Sequence, residues 1–158
     1  MVNKIKNRDE LAREIRELRG QGLKVVFTNG CFDLLHVGHV RYLTEAKAKG
    51  DILVVGLNSD RSVLEIKSPK RPIVPEDQRA EVLASLSCVD FITIFDEPDP
   101  LALIKTLLPD ILVKGADWAE DEIIGKEVVE EVVRIPVIKG ASTSGIIEKI
   151  VELYCNEA

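Results

Sequence analysis

Cysteine is scarce in this chain: Cys31, Cys88 and Cys155 are an odd number with no Cys-x-x-Cys pair among 158 residues. That spacing excludes a disulfide framework, and free thiols fit a reducing, cytoplasmic setting. No apolar signal core follows Met1, and no run approaches the length of a membrane-spanning helix, so no membrane association is expected. Basic excess is missing as well. With 21 Lys and Arg against 27 Asp and Glu, the formal net charge is -6 at pH 7, the wrong sign for general binding to nucleic acid or anionic lipid. The first strand-to-helix turn has no Gly-x-Gly-x-x-Gly, which disfavours a dehydrogenase-like dinucleotide fold. The length fits one domain with a single core over residues 1–158.

Histidine occurs only twice, and the two stand three apart in Asn29-Gly-Cys-Phe-Asp-Leu-Leu-His-Val-Gly-His39, just after the apolar run Lys24–Thr28. A short β-branched run reads as a buried strand, and Gly38–Lys49 reads as a helix with Val40, Leu43 and Ala46 at apolar spacing. His36 and His39 therefore fall at a strand-to-helix turn. Backbone N–H groups at a helix start lack partners and the helix dipole favours negative charge there, so the turn suits a polyphosphate. Gly38 lets a ligand approach the backbone, and both imidazoles can act as donors to one anion. A pair of capping or core histidines is the bland alternative. A zinc site lacks a third ligand cluster.

The rest of the chain alternates. Residues 8–19 form an amphipathic helix ahead of a core at 23–154, with Leu11, Ile15 and Leu18 on one face. Strands are expected at 24–28, 51–57, 90–95, 110–114 and 134–138. Helices are expected at 59–66, 76–86, 100–107 and, as a helical pair, 120–131, with a final helix from Gly140-Ala-Ser-Thr-Ser144 through Tyr154. Lys67-Ser-Pro-Lys-Arg-Pro-Ile-Val-Pro75 carries three prolines and three cations and reads as a basic loop. Continuous apolar strands alternating with helices indicate an α/β fold, a Rossmann-like doubly wound sheet of about five parallel strands with helices on both faces. In such sheets ligands bind beyond the carboxyl ends of the strands, where the histidine turn, Lys114–Asp117 and Ser142–Ser144 all fall. The turn at 140–144 is a second candidate phosphate cradle, and Lys67, Lys70 and Arg71 are placed to close over a triphosphate.

The stretch Asn29–His39, with its His-Val-Gly-His, resembles the His-x-Gly-His signature of the nucleotidyltransferase superfamily, and Ser142-Thr-Ser144 resembles its closing Ser/Thr motif. Together they look like the cytidylyltransferase-like branch. Within it, Asn58-Ser-Asp60, Arg71–Arg79, Val89-Asp90 and Leu108–Asp117 are most similar to the D-glycero-β-D-manno-heptose 1-phosphate adenylyltransferases, and the likeness covers nearly all of residues 23–153. The resemblance implies transfer of AMP from ATP to the heptose 1-phosphate, giving ADP-heptose and pyrophosphate for the lipopolysaccharide inner core. It implies Mg²⁺ on the triphosphate, with a carboxylate such as Asp33 as a candidate ligand and the metal ligands otherwise open. A homodimer is implied too. Many members carry a fused sugar kinase, which here would be a separate chain.

By position, the resemblance assigns His36, His39 and Lys67 to catalysis on the phosphates. Asn29, Gly30, Cys31, Phe32, Gly38, Lys114, Gly115, Ser142, Thr143 and Ser144 fall to the nucleotide. Asp33, Arg79, Asp117 and Trp118 fall to the substrate side, although Glu76 is also placed to hold Arg79 as a helix pair. Three positions depart from the pattern: Ala116 for a glycine, Ser144 for a threonine, and Val137-Ile-Lys139 where glycerol-phosphate relatives carry Arg-Thr. The alternatives are a cytidylyltransferase acting on glycerol 3-phosphate or a similar phospho-alcohol and, in a different class, a non-catalytic nucleotide sensor.

Overall fold

The computed structural model describes residues 3–155. Five strands, β1 (Val25–Gly30), β2 (Ile52–Asn58), β3 (Phe91–Phe95), β4 (Ile111–Gly115) and β5 (Glu131–Ile135), form one parallel sheet in the order β3-β2-β1-β4-β5. The helices are α1 (Arg8–Gly20), α2 (Val37–Lys47), α3 (Asp60–Ile66), α4 (Glu76–Ser85), α5 (Leu101–Leu107) and α6 (Thr143–Cys155). The expected α/β, Rossmann-like arrangement is what forms.

Side-chain alternation along the central strands builds the two faces. Val26, Leu53, Val55 and Val113 meet Leu43 and Ala46 of α2 and Ala80 and Leu83 of α4 on one face. On the other, Val25, Phe27, Val54 and Leu112 meet Leu11 and Ile15 of α1 and Leu103, Ile104 and Leu107 of α5. Each such side chain contributes about 1.5–3 kcal/mol on leaving water, which is why the central strands carry almost no polar residues below their carboxyl ends. Helix α1 starts where Asn7 accepts from the Glu10 N–H at 3.0 Å, and Asp9 and Glu10 complement the dipole in its first turn.

Two expectations fail in the C-terminal third. The segment 120–131 is not a helical pair: only a single 3₁₀ turn forms at Glu120–Glu122. Gly125 there has φ +90°, and a β-carbon on it would meet Ile104 Cδ1 at 2.6 Å, so a close approach to α5 replaces a helix. The fifth strand runs over 131–135 instead of 134–138. Pro136 ends it, because proline has no N–H to give the ladder.

The order of strands reverses between β1 and β4, and there the sheet opens. β1 follows β2 as far as Gly30↔Leu57, but its pairing with β4 is confined to Val26↔Ile111 and Phe27↔Leu112. Above that level the Tyr42 hydroxyl fills the gap, within 2.8 Å of Thr28 Oγ1 and donating to the Val113 carbonyl at 3.2 Å. The crevice this leaves at the carboxyl edge is the place the topology provides for a ligand.

Candidate active site

A cleft of about 390 Å³ sits over that crevice. Its first wall is the turn after β1. Phe32 adopts φ 44°, a left-handed conformation that costs energy for a residue with a β-carbon. This bends the Cys31 and Phe32 backbone beneath the cleft and brings the Phe32 ring to 5.3 Å from the His39 ring. His36 is the N-cap residue of α2 but makes no side-chain cap, so the first N–H groups of the helix keep their donor capacity.

His36 and His39 stack, with ring centroids 3.9 Å apart and planes 25° from parallel. Both Nδ1 atoms are shut off from solvent without a hydrogen-bond partner among the described residues. Burial holds both imidazoles in the neutral form, and for His39 burial and then the neighbouring His36 push the pKa down to about 4. An anion in the cleft is what would reverse that. Burial keeps the Cys31 thiol protonated, outweighing the nearby cations Lys67, Arg79 and Arg71, so Cys31 serves by its backbone and its small volume.

The opposite wall is the start of α6. Thr143 donates to the Leu34 carbonyl at 3.1 Å, and Ser142 Oγ accepts from the Gly145 N–H at 3.0 Å. The two helix starts meet at Gly38, where a β-carbon would lie 2.9 Å from the His36 ring and 3.2 Å from Ala141 Cβ. Lys67 is the lysine that lines the cleft, and Gly115 and Asp117 complete its rim from the end of β4. Asp117 folds back over Gly115, its Oδ1 against the face where a β-carbon would stand.

Several residues that the sequence places at the site stand elsewhere. Asp33 is not among the residues that line the cleft: its fully buried carboxylate accepts from Arg71 Nε at 2.5 Å and from the Ile73 and Val74 N–H groups at 2.9 Å each. Those bonds outweigh burial and hold its pKa below the ordinary carboxylate value. Asp33 thus anchors the 67–75 loop. Arg79 is buried and its donors are spent on the carbonyls of Val74, Cys31 and Asn58 at 2.6–2.9 Å and on Asp60 Oδ1 at 2.7 Å. Glu76 does not hold Arg79. It accepts instead from the Asp60 N–H at 2.6 Å. Asn29, Lys114, Trp118 and Ser144 lie outside the cleft lining.

Tyr42 was not anticipated as a site residue, yet it floors the cleft. Its signal was present: it follows His39 by three residues on the same helix. Burial pushes its pKa up to about 12, so it is a fixed hydroxyl and no base. Among the described residues no group of three or more His, Cys, Asp or Glu gathers as a metal site.

A family model described as cytidylyltransferase-like matches residues 27–152, which takes in both helix starts and every strand but the first two residues of β1. The chain belongs to the cytidylyltransferase-like family. Among curated relatives, the bifunctional protein HldE of Citrifermentans bemidjiense is 55% identical over 156 residues, 96% of this chain and 32% of its own length. That of Helicobacter acinonychis is 60% identical over 131 residues, 83% of this chain and 28% of its own. The chain thus spans about a third of the length of these relatives. Among solved structures, the lipopolysaccharide core biosynthesis protein of Thermoplasma volcanium superposes with a TM-score of 0.66 at 33% identity, covering 74% of this chain and 99% of that one. The Francisella tularensis pantoate-β-alanine ligase, at 18% identity and TM-score 0.62, shares the fold. The cytidylyltransferase-like assignment and the cleft agree: the family match spans all the lining residues.

Proposed function

We propose that this chain transfers AMP from ATP to D-glycero-β-D-manno-heptose 1-phosphate, giving ADP-heptose and pyrophosphate for the lipopolysaccharide inner core. The observation that carries the reading is the pair of partnerless, stacked imidazoles set between two helix starts and Lys67. High identity to the bifunctional HldE proteins and the likeness to a lipopolysaccharide core biosynthesis protein support the choice of acceptor.

The chemistry fits these groups. A phosphate monoester oxygen is already anionic at neutral pH, so it attacks the α-phosphorus without a base. The new bond forms as the bond to the β-phosphate oxygen breaks and pyrophosphate leaves. The enzyme's task is in-line placement and stabilisation of charge on the transferring phosphoryl and the leaving group. His36, His39, Lys67 and the starts of α2 and α6 supply donors for that. Mg²⁺ enters as part of the substrate MgATP, held mainly by phosphates and water. Asp117 is the carboxylate at the cleft rim. The reading includes a homodimer and an upstream kinase that phosphorylates the anomeric hydroxyl.

Pyrophosphate release tests it, with ATP or CTP each paired with the heptose 1-phosphate or glycerol 3-phosphate in Mg²⁺. Release confined to ATP with the heptose phosphate is the expected result. Release with CTP and glycerol 3-phosphate would keep the site and overturn the substrates, and nucleotide binding without release under any pairing would make the protein a sensor.

A further inference from the structure

The two edges of the sheet are finished differently. Along β3 the N-terminal segment closes the edge: the Lys6 N–H donates to the Ile92 carbonyl at 2.9 Å, and the Ile92 N–H donates to the Lys4 carbonyl at 2.8 Å. Along β5 nothing does so among the described residues. The Glu131 N–H donates to the Asp110 carbonyl and the Ile135 carbonyl accepts from the Ala116 N–H, so the odd positions of β5 spend their backbone groups on β4. Val132 and Arg134, on the alternate positions, turn their N–H and C=O groups to the open side.

That open edge is complementary to itself. A second copy related by a two-fold axis normal to the sheet would add its own β5 antiparallel, and such an axis keeps each face of the sheet on its own side. With the axis at Val132, the two Val132 residues exchange both hydrogen bonds, and Glu130 of each copy stands opposite Arg134 of the other. An axis at Glu130, Glu131 or Arg134 would set like charges face to face. An axis at Val133 would leave Glu130 and Arg134 opposite apolar residues. Arg134 donates through one nitrogen, Nη1, to the Trp118 carbonyl at 3.2 Å, which leaves the rest of its guanidinium for the carboxylate.

A second surface lacks cover as well. α6 has no buried side chain, although Ile146, Ile147, Ile150, Val151, Leu153 and Tyr154 form one broad apolar face, the last four 47–78% exposed. On the α2 face of the sheet, α4 lies over β2 and β3, and α2 reaches across to β5. α6 starts against α2, with Ala141 beside Gly38, which leaves it the β5 side. Resting on the homodimer included in the function proposed above, we infer that β5, in the register centred on Val132, joins a second copy of this chain into one continuous sheet, with the two α6 faces closing over the seam. A five-residue edge is too short to hold two copies alone, and α6 supplies the apolar area a stable interface needs. Because α6 opens at the cleft wall with Ser142 and Thr143, the copy that covers α6 also steadies that wall.

Sedimentation of the full chain from about 1 to 100 μM tests this, and the wild type should run as a dimer. Val132→Pro removes only an outward N–H, which an edge strand tolerates, and should leave a monomer. Glu130→Arg should raise the dimer Kd about tenfold or more, and adding Arg134→Glu should restore it, a rescue that no effect on folding produces. Ile150→Glu changes a side chain that is exposed in the single copy, so it should weaken the dimer to a similar degree with an unchanged circular-dichroism spectrum. A monomeric wild type, a dimer indifferent to Val132→Pro or to Ile150→Glu, or a charge exchange without rescue would overturn the interface. Sedimentation needs no substrate. Dimers of this kind in a chain that releases no pyrophosphate would therefore leave the interface standing and sink the transferase reading alone.

Discussion

The imidazole of His39 lies against that of His36 at 3.9 Å between centroids, and neither Nδ1 has a partner among the described residues. Charging both at once would bring two cations into contact, so the free site holds them neutral and a polyanion would draw protons to them.

Stability should therefore fall on the acid side. A histidine whose folded pKa lies below its unfolded value of about 6.5 gives its full contribution above that value and loses it as pH drops toward the folded pKa, here about 4 for His39. Thermal melts from pH 7.5 to 4.5 without nucleotide should show a decline that is clearly shallower in His39→Gln. Equal slopes would mean that His39 is not desolvated in the free protein.

His39→Ala should lower turnover by at least about a hundredfold while ATP affinity changes little, because its donor is worth most when charge develops on the transferring phosphoryl. Pyrophosphate release and equilibrium binding of a non-hydrolysable ATP analogue separate the two effects. Near-normal turnover would remove His39 from the chemistry.

Asp33→Asn should behave as a loop variant. Breaking its pair with Arg71 and weakening the Ile73 and Val74 bonds costs on the order of 3 kcal/mol, since the carboxylate is buried. Limited proteolysis should cut within 67–75 faster than in the wild type, and the KM for ATP should rise because Lys67 shares that loop. Unchanged cleavage would show that other contacts anchor the segment.

Gly38→Ala tests the meeting of the two helix starts. The added methyl would press on the His36 ring at 2.9 Å and on Ala141 at 3.2 Å, so the stack must shift while the core below is untouched. We expect turnover down about tenfold or more with a melting temperature within a few degrees of wild type. A normal rate would mean that the ring has room to move.

The fold was legible because short apolar runs such as Ile52–Leu57, rich in β-branched residues and preceded by Gly50, read as buried strands, and the helix at Arg8–Gly20 carries an apolar stripe. The failures at 120–131 and 134–138 come from tertiary demands: Gly125 is chosen by Ile104, and Pro136 ends a strand whose pattern looked uninterrupted. The two helix starts at the cleft were legible because such turns are set by local backbone geometry. The roles of Asp33 and Arg79 were not, since spacing along the chain does not reveal that Val74 and Asn58 arrive to consume their hydrogen bonds. The hydrogen bond of Lys114 belongs to the same class: its partner, Asn29, lies 85 positions away.

Because β1 and β4 share only two paired levels, the sheet is mechanically two leaves, β3-β2-β1 and β4-β5, whose upper edges are tied by side chains, the phenol of Tyr42 and the hydrogen bond from Lys114 to Asn29. One leaf carries the histidine turn and the other leads into the start of α6. A change in the angle between them would alter the spacing of the two helix starts directly, so these two side-chain ties set the bite of the jaw.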